Sequence, residues 1–213
     1  MNRNIAPFPN LRSAGRELAA RCPAAGVRDD VVVLGIVSAG VPVAVEVAKH
    51  LEASLDLVLI RRLLAPRGPG SQVCAVNAAG TLVMDKVGSL AAKPQTPLDY
   101  FLVDALNGLA RRAQVCRGER APTELAGKPV LLVDCGIRTG LTMQAAIDAV
   151  RTLNPSRITA AVPVTSVEGR RVVEAIADDL IYLAAAEPFG NAGVWYRDFS
   201  RPAEDSISQH LSA

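Results

Sequence analysis

Short apolar runs alternate along this chain with stretches of helical spacing, and small-residue turns separate them. Leu11, Ala14, Leu18 and Cys22 recur at three- and four-residue intervals, which predicts a helix over Pro9 to Cys22 capped by Asn10. Val31 to Val37 is an unbroken apolar run that reads as a strand, closed by Ser38-Ala39-Gly40. Val41, Ala44, Val45 and Ala48 then share one face of a helix reaching Leu51, with Pro42 tolerated in its first turn. Leu55 to Arg61 alternates like a second strand, and strand, helix, strand in so compact a stretch implies a parallel pair.

Pro66, Gly68, Pro69 and Gly70 break the pattern, so Leu63 to Gly70 reads as a loop. Gln72 to Asn77 and Thr81 to Asp85 read as short strands of a hairpin turning at Ala79-Gly80. A loop from Gly88 to Thr96 leads into a helix opened by Thr96-Pro97 and Asp99, a capping-box pattern, and running to Arg117. The rhythm then resumes: strand Val130 to Asp134, helix to Leu153, strand Arg157 to Pro163, helix Val167 to Ala177, strand Leu180 to Ala184. Ser200 and Pro202 signal a short terminal helix to Leu211. This order predicts an α/β protein, a three-layer, doubly wound, mostly parallel sheet with helices on both faces. Residues 66–128 interrupt it as a lid-like insertion or as surface elaboration, residues 185–213 form a C-terminal segment, and 1–213 reads as a single domain.

Composition narrows the function classes. Half of the 213 residues are hydrophobic and 21% are charged, which suits a packed globule rather than a disordered chain. The net charge is +2, and the basic pairs Arg61-Arg62, Arg111-Arg112 and Arg170-Arg171 are too isolated to track a nucleic-acid backbone. No apolar run has transmembrane length and no signal peptide is evident, so the expected setting is the cytoplasm, without membrane or nucleic-acid partners. Cys22, Cys74, Cys116 and Cys135 are scattered, and only His50 and His210 supply imidazole, a poor kit for zinc or histidine chemistry.

The chemistry-bearing stretch is Val130-Leu-Leu-Val-Asp-Cys-Gly-Ile-Arg-Thr-Gly-Leu-Thr-Met143. A strand, a turn of small residues and a helix lift backbone N–H groups toward an anion at the helix start. Threonine hydroxyls add neutral donors, and Asp134 stands at the carboxyl end of its strand, where open α/β sheets place ligands. A capped strand-to-helix turn with no ligand is the plain alternative. The stretch resembles the ribose-phosphate signature of the type I phosphoribosyltransferases, an apolar strand, two acidic residues and a Gly-x-x-Thr-Gly-x-Thr loop, with Cys135 in place of the second acid.

Further motifs carry the same resemblance, toward a branch of small bacterial proteins, from Val31 to His210. Gly40-Val-Pro-Val-Ala44 matches the helix start after the pyrophosphate loop, with Ser38 and Ala39 where the branch has Arg and Gly. Arg61-Arg62-Leu63 stands where it carries Arg-Lys-Leu, and Glu187-Pro-Phe with Trp195-Tyr-Arg-Asp-Phe199 matches its aromatic segment. Arg138 replaces an Ala of the branch, or the general-base Asp of the hypoxanthine–guanine group, and a guanidinium is no base near neutral pH.

The resemblance implies Mg2+-dependent transfer of ribose 5-phosphate from phosphoribosyl pyrophosphate to a base or other small nucleophile. Asp134, the catalytic candidate, would hold a ribose hydroxyl. Cys135, Gly136, Ile137, Arg138, Thr139, Gly140, Leu141 and Thr142 would form the phosphate loop. Ser38, Ala39 and Gly40 would hold pyrophosphate, Arg61 and Arg62 would add positive charge, and Trp195 and Tyr196 would flank the base. The small-molecule partner is thus a phosphosugar or nucleotide, and homodimers are common in the family. Two alternatives stand beside this reading. One is a nucleotide or phosphosugar binder without turnover, given Ser38, Cys135 and Arg138; the other is a serine hydrolase with Ser38 as nucleophile and His210 as base, although Gly35 to Gly40 has one residue too many for a nucleophile elbow.

Overall fold

The computed structural model describes residues 7–27, 30–65, 72–77, 82–84 and 98–211, with side chains described outside 63–102. Its centre is a five-stranded sheet, every strand parallel, built from β2 (Val32–Ile36), β3 (Ser54–Val58), β7 (Pro129–Val133), β8 (Arg157–Ser166) and β9 (Asp179–Ala186) in the order β3-β2-β7-β8-β9. The order steps outward from β2 in one direction to β3 and in the other through β7 to β9. The carboxyl ends of β2 and β7 therefore lie side by side at the point where the winding reverses, where α/β sheets open a crevice.

Alternation along the strands explains the layers. Val33, Leu131, Val133 and Ala161 share one buried cluster with α1 (Leu11–Arg21) and α2 (Gly40–His50). Val32, Leu34, Leu132 and Ala160 point the other way and pack with Met143, Ala146 and Ile147 of α4 (Leu141–Arg151). Both faces are covered, so the strands are apolar throughout, as parallel strands require. A third cluster joins Val41 and Val45 of α2 to Leu57, to Ala105 and Leu109 of α3 (Leu98–Arg117) and to Ile207 of α6 (Glu204–Leu211). The described helices are completed by α5 (Val167–Glu174).

The expected second strand is in fact two. It ends at Val58, and after Leu59 the chain enters β4 (Ile60–Ala65), which belongs to a separate antiparallel sheet with β5 (Gln72–Asn77) and β6 (Leu82–Met84). Arg61 and Arg62 thus sit on the first strand of the insertion, not at the end of a core strand, and Leu63 to Ala65 are strand rather than loop. Their β-branched and apolar neighbours did not signal the change of sheet. The small sheet packs against α4 and α3. The hairpin turn at Ala79-Gly80, the loop from Gly88 to Thr96 and the Thr96-Pro97 cap lie outside the described residues. β1 (Phe8–Asn10) pairs in parallel with β10 (Tyr196–Asp198), tying the start of α1 to the C-terminal segment. Asn10 caps α1 as expected, its side chain accepting from the Ser13 N–H at 2.8 Å.

Candidate functional site

Two loops meet at the carboxyl edge of the sheet. One follows β2 and holds Ser38, Ala39 and Gly40; the other follows β7 and runs from Asp134 to Gly140. Their contact is backbone-close: a Cβ on Gly40 would lie 2.8 Å from the Val133 carbonyl and 3.2 Å from the Asp134 carboxylate. Glycine is required there by space, and its absence of side chain is what lets the first loop rest on Asp134. The Val37–Ser38 peptide is cis.

The second loop is stitched to β8 and α5. Ile137 N–H donates to the Val164 carbonyl at 3.0 Å and Ser166 N–H to the Ile137 carbonyl at 2.8 Å. Ser166 also caps α5, accepting from Gly169 N–H at 2.8 Å, while its hydroxyl donates to the Arg138 carbonyl. The loop ends at Gly140, whose φ of 84° is left-handed backbone that glycine adopts freely. Neither α2 nor α4 has a side-chain cap, and neither carries an acidic residue in its first turn. Two first turns of outward N–H groups therefore open on the same edge of the sheet, a setting that favours anions.

A hollow of about 110 Å³ lies in the second loop, lined by Arg62, Asp134, Gly136 to Gly140, Leu141, Thr142 and Met143. Most of the expected phosphate-loop residues are thus brought together, and Arg62 of the inserted sheet joins them. Arg61, its neighbour on the strand, turns the opposite way. It donates to the Asp104 carboxylate at 2.9 Å and to the Asp104 carbonyl at 3.0 Å on α3. A larger hollow of about 440 Å³ lies at the far edge of the sheet, between Lys49, Ser54, Arg120 and His210, and contains none of the candidate residues. We place the chemistry at the smaller one, because the uncapped helix starts, Asp134 and the arginines converge there.

Asp134 is half-buried, and burial pushes its carboxyl up to about 6; the Cys135 N–H, at 2.7 Å from Oδ1, and the charges of Arg201 and Arg62 oppose the rise. Cys135 is 8% exposed, and burial together with the Asp134 carboxylate pushes its thiol well above the ordinary range. It is a neutral thiol, not the activated thiolate that a helix start can create. Tyr196 is buried, its hydroxyl donating to the Cys135 carbonyl at 2.5 Å, and its ring lies 5.6 Å from Phe8 and 5.2 Å from Phe199. Half-buried Trp195 donates to the Phe189 carbonyl at 3.1 Å. Neither aromatic lines the hollow.

The hydrolase pair does not meet. Ser38 precedes the start of α2, whereas His210 lines the far hollow beside Lys49 near that helix's end. Eleven helical residues separate the two places by roughly 16 Å. Reading the sequence also missed three supports of the site. Ser166 and Gly169 brace the loop from α5, and Arg201 sends its charge to Asp134. The one local signal for Ser166 is a serine directly before a helix start; nothing local marks Arg201.

The phosphoribosyl transferase domain model matches residues 1–189, and the chain belongs to that family. Two Mycobacterium tuberculosis proteins, from strains CDC 1551 and H37Rv, whose names assign them provisionally to the phosphoribosyl transferases, are 33% identical over 209 residues. The match covers 96% of this chain and 46% of theirs, so the chain spans about half the length of these curated relatives. Among solved structures, TT1426 from Thermus thermophilus aligns with a TM-score of 0.80 and 34% identity over 96% of this chain and 97% of its own. The AQ2163 protein of Aquifex aeolicus shares the fold at a TM-score of 0.52 and 12% identity, over 94% of this chain and 84% of its own.

Proposed function

We propose that this protein transfers ribose 5-phosphate from phosphoribosyl pyrophosphate to a nitrogenous base or another small nucleophile. The observation that carries the reading is the meeting of two uncapped helix starts around one carboxylate, Asp134, with Arg62 beside it. The 5-phosphate would take the N–H groups and threonine hydroxyls of the loop from Gly136 to Thr142, and pyrophosphate the turn from Ser38 to Gly40. Asp134 would accept a hydrogen bond from a ribose hydroxyl. The bond from C1 to pyrophosphate oxygen breaks with its electron pair leaving on pyrophosphate. A lone pair of the acceptor forms the new bond to C1, and the acceptor's proton passes to water. Such a transition state carries positive charge on the sugar, so positioning and charge neutralisation outweigh covalent help.

Magnesium fits this site as cargo of the substrate. Among the described residues no three acidic, histidine or cysteine side chains converge on one point, so the ion would be carried mainly by the substrate's own oxygens and by water, with Asp134 the one carboxylate lining the hollow. The ion neutralises phosphate charge when it is bound. Arg138, a permanent cation, binds anions rather than taking a proton.

Cys135 favours a second reading, a binder of nucleotides or phosphosugars without turnover. A buried neutral thiol offers a ribose hydroxyl no charged acceptor, and Asp134 already accepts from the Cys135 N–H. Release of pyrophosphate, followed with a panel of purine, pyrimidine and amine acceptors plus Mg2+, separates the two. Acceptor-dependent release supports the transferase; saturable binding of phosphoribosyl pyrophosphate with no release from any acceptor supports the binder.

A further inference from the structure

Resting on the transferase reading, we infer that Arg61 is a positioning residue: seated on Gly108 of α3, it holds β4 so that Arg62 faces the phosphate loop. Only Leu59 lies between β3 of the central sheet and β4 of the inserted one. The direction of the two arginines therefore depends on what β4 packs against. Neighbours on a strand point to opposite faces, so fixing one fixes the other. Arg62 lines the hollow with Asp134 and the loop from Gly136 to Gly140, while Arg61 reaches α3.

The seat is narrow. Arg61 Nη2 donates to Asp104 Oδ2 at 2.9 Å, and Nη1 donates to the Asp104 carbonyl at 3.0 Å. In an α-helix that carbonyl also takes the N–H of residue 108, four positions on, so the second donor must approach over residue 108. A Cβ on Gly108 would lie 2.5 Å from Arg61 Nη1. An alanine there displaces the guanidinium at small cost to the fold, because the end of a long side chain gives way rather than backbone. Stability gives no reason for this arrangement. A glycine inside a helix costs stability relative to alanine, and an ion pair whose side chains are 35% and 57% exposed returns little. What the glycine secures is the direction of β4, and through it the place of Arg62.

Titration calorimetry of the full chain with phosphoribosyl pyrophosphate, well below the melting temperature of every variant, tests this with Gly108→Ala, Arg61→Gln and Arg62→Gln. Arg62→Gln sets the ceiling, because loss of one charge-assisted contact is worth about tenfold or more in affinity. Gly108→Ala and Arg61→Gln are each expected to lose about threefold to tenfold. Gly108→Ala should nonetheless melt at or above the wild-type temperature, a combination that a merely structural role does not produce. Added to Arg62→Gln, neither change should weaken binding by more than about twofold, since both act through Arg62. Wild-type affinity in Gly108→Ala and Arg61→Gln, or losses that multiply undiminished with that of Arg62→Gln, overturns the inference and leaves the transferase reading standing. Wild-type protein that does not bind phosphoribosyl pyrophosphate overturns the transferase reading, and the role of Arg61 with it.

Discussion

With its carboxyl pushed up to about 6 by burial, Asp134 holds a proton in the folded chain at pH values where the unfolded chain has released it. A folded-state pKa above the unfolded value near 4 means that the native state binds more protons between those limits, so stability falls as pH rises from about 4 to about 6. Above that window the ionised carboxylate costs on the order of 2 kcal/mol. Asp134→Asn should therefore raise the melting temperature of the ligand-free protein at pH 8 while abolishing transfer. At pH 4 the two proteins should melt alike; an equal gain at both pH values would assign it to packing rather than charge. Gly40→Ala is expected to act in the opposite sense. Its Cβ would sit 2.8 Å from the Val133 carbonyl, so the turn must lift off Asp134, costing about 1–3 kcal/mol and weakening pyrophosphate binding by calorimetry. Asp134 and Gly40 were legible as motif residues because a strand-end acid and a glycine turn have local signatures. Their contact was not, since it depends on β2 and β7 becoming neighbours.

Helix α5 carries no candidate residue, yet it carries the phosphate loop. A Cβ on Gly169 would lie 2.5 Å from the Ile137 side chain and 2.6 Å from the Arg138 carbonyl, both within the loop. Gly169→Ala should weaken ribose 5-phosphate binding although it touches no ligand, and the effect should exceed its loss of stability in a urea melt. Helix α3 is anchored by a buried pair: Asp56 of β3 accepts from Arg117 Nε at 2.9 Å and from the Thr123 N–H at 2.7 Å. Breaking such a pair from one side typically costs about 3 kcal/mol, so Asp56→Ala should show a loss of that size in chemical denaturation, leaving pyrophosphate affinity intact at low temperature. Periodicity marks the core strands and helices nearly to their ends, but not the short strands β1 and β10: Pro9 reads as part of the first helix and Tyr196 to Asp198 as part of an aromatic segment. Where the reading failed, at Val58 to Ile60, one continuous β-prone stretch serves two sheets, and period-two alternation has no means of showing which sheet a residue joins.

The polar chemistry and the large hollow occupy opposite edges of one parallel sheet, and the winding of the chain explains which edge matters. Strand ends that diverge at β2 and β7 leave a crevice only at their carboxyl side, where two arginines from separate segments, Arg62 and Arg138, line one hollow with the Asp134 carboxylate. A small net charge of +2 conceals this local excess, which is why composition alone points to no ligand. No helix among the described residues is long and apolar enough to cross a membrane. The most direct measurement is the thermal stability of the protein with phosphoribosyl pyrophosphate, with and without Mg2+, beside ribose 5-phosphate and AMP. At a hundred times its dissociation constant a ligand of the folded state adds about 2.7 kcal/mol. A shift with phosphoribosyl pyrophosphate that grows with Mg2+, exceeds that of either monophosphate and disappears in Asp134→Asn is the predicted result. No shift with phosphoribosyl pyrophosphate, with or without the ion, would contradict it.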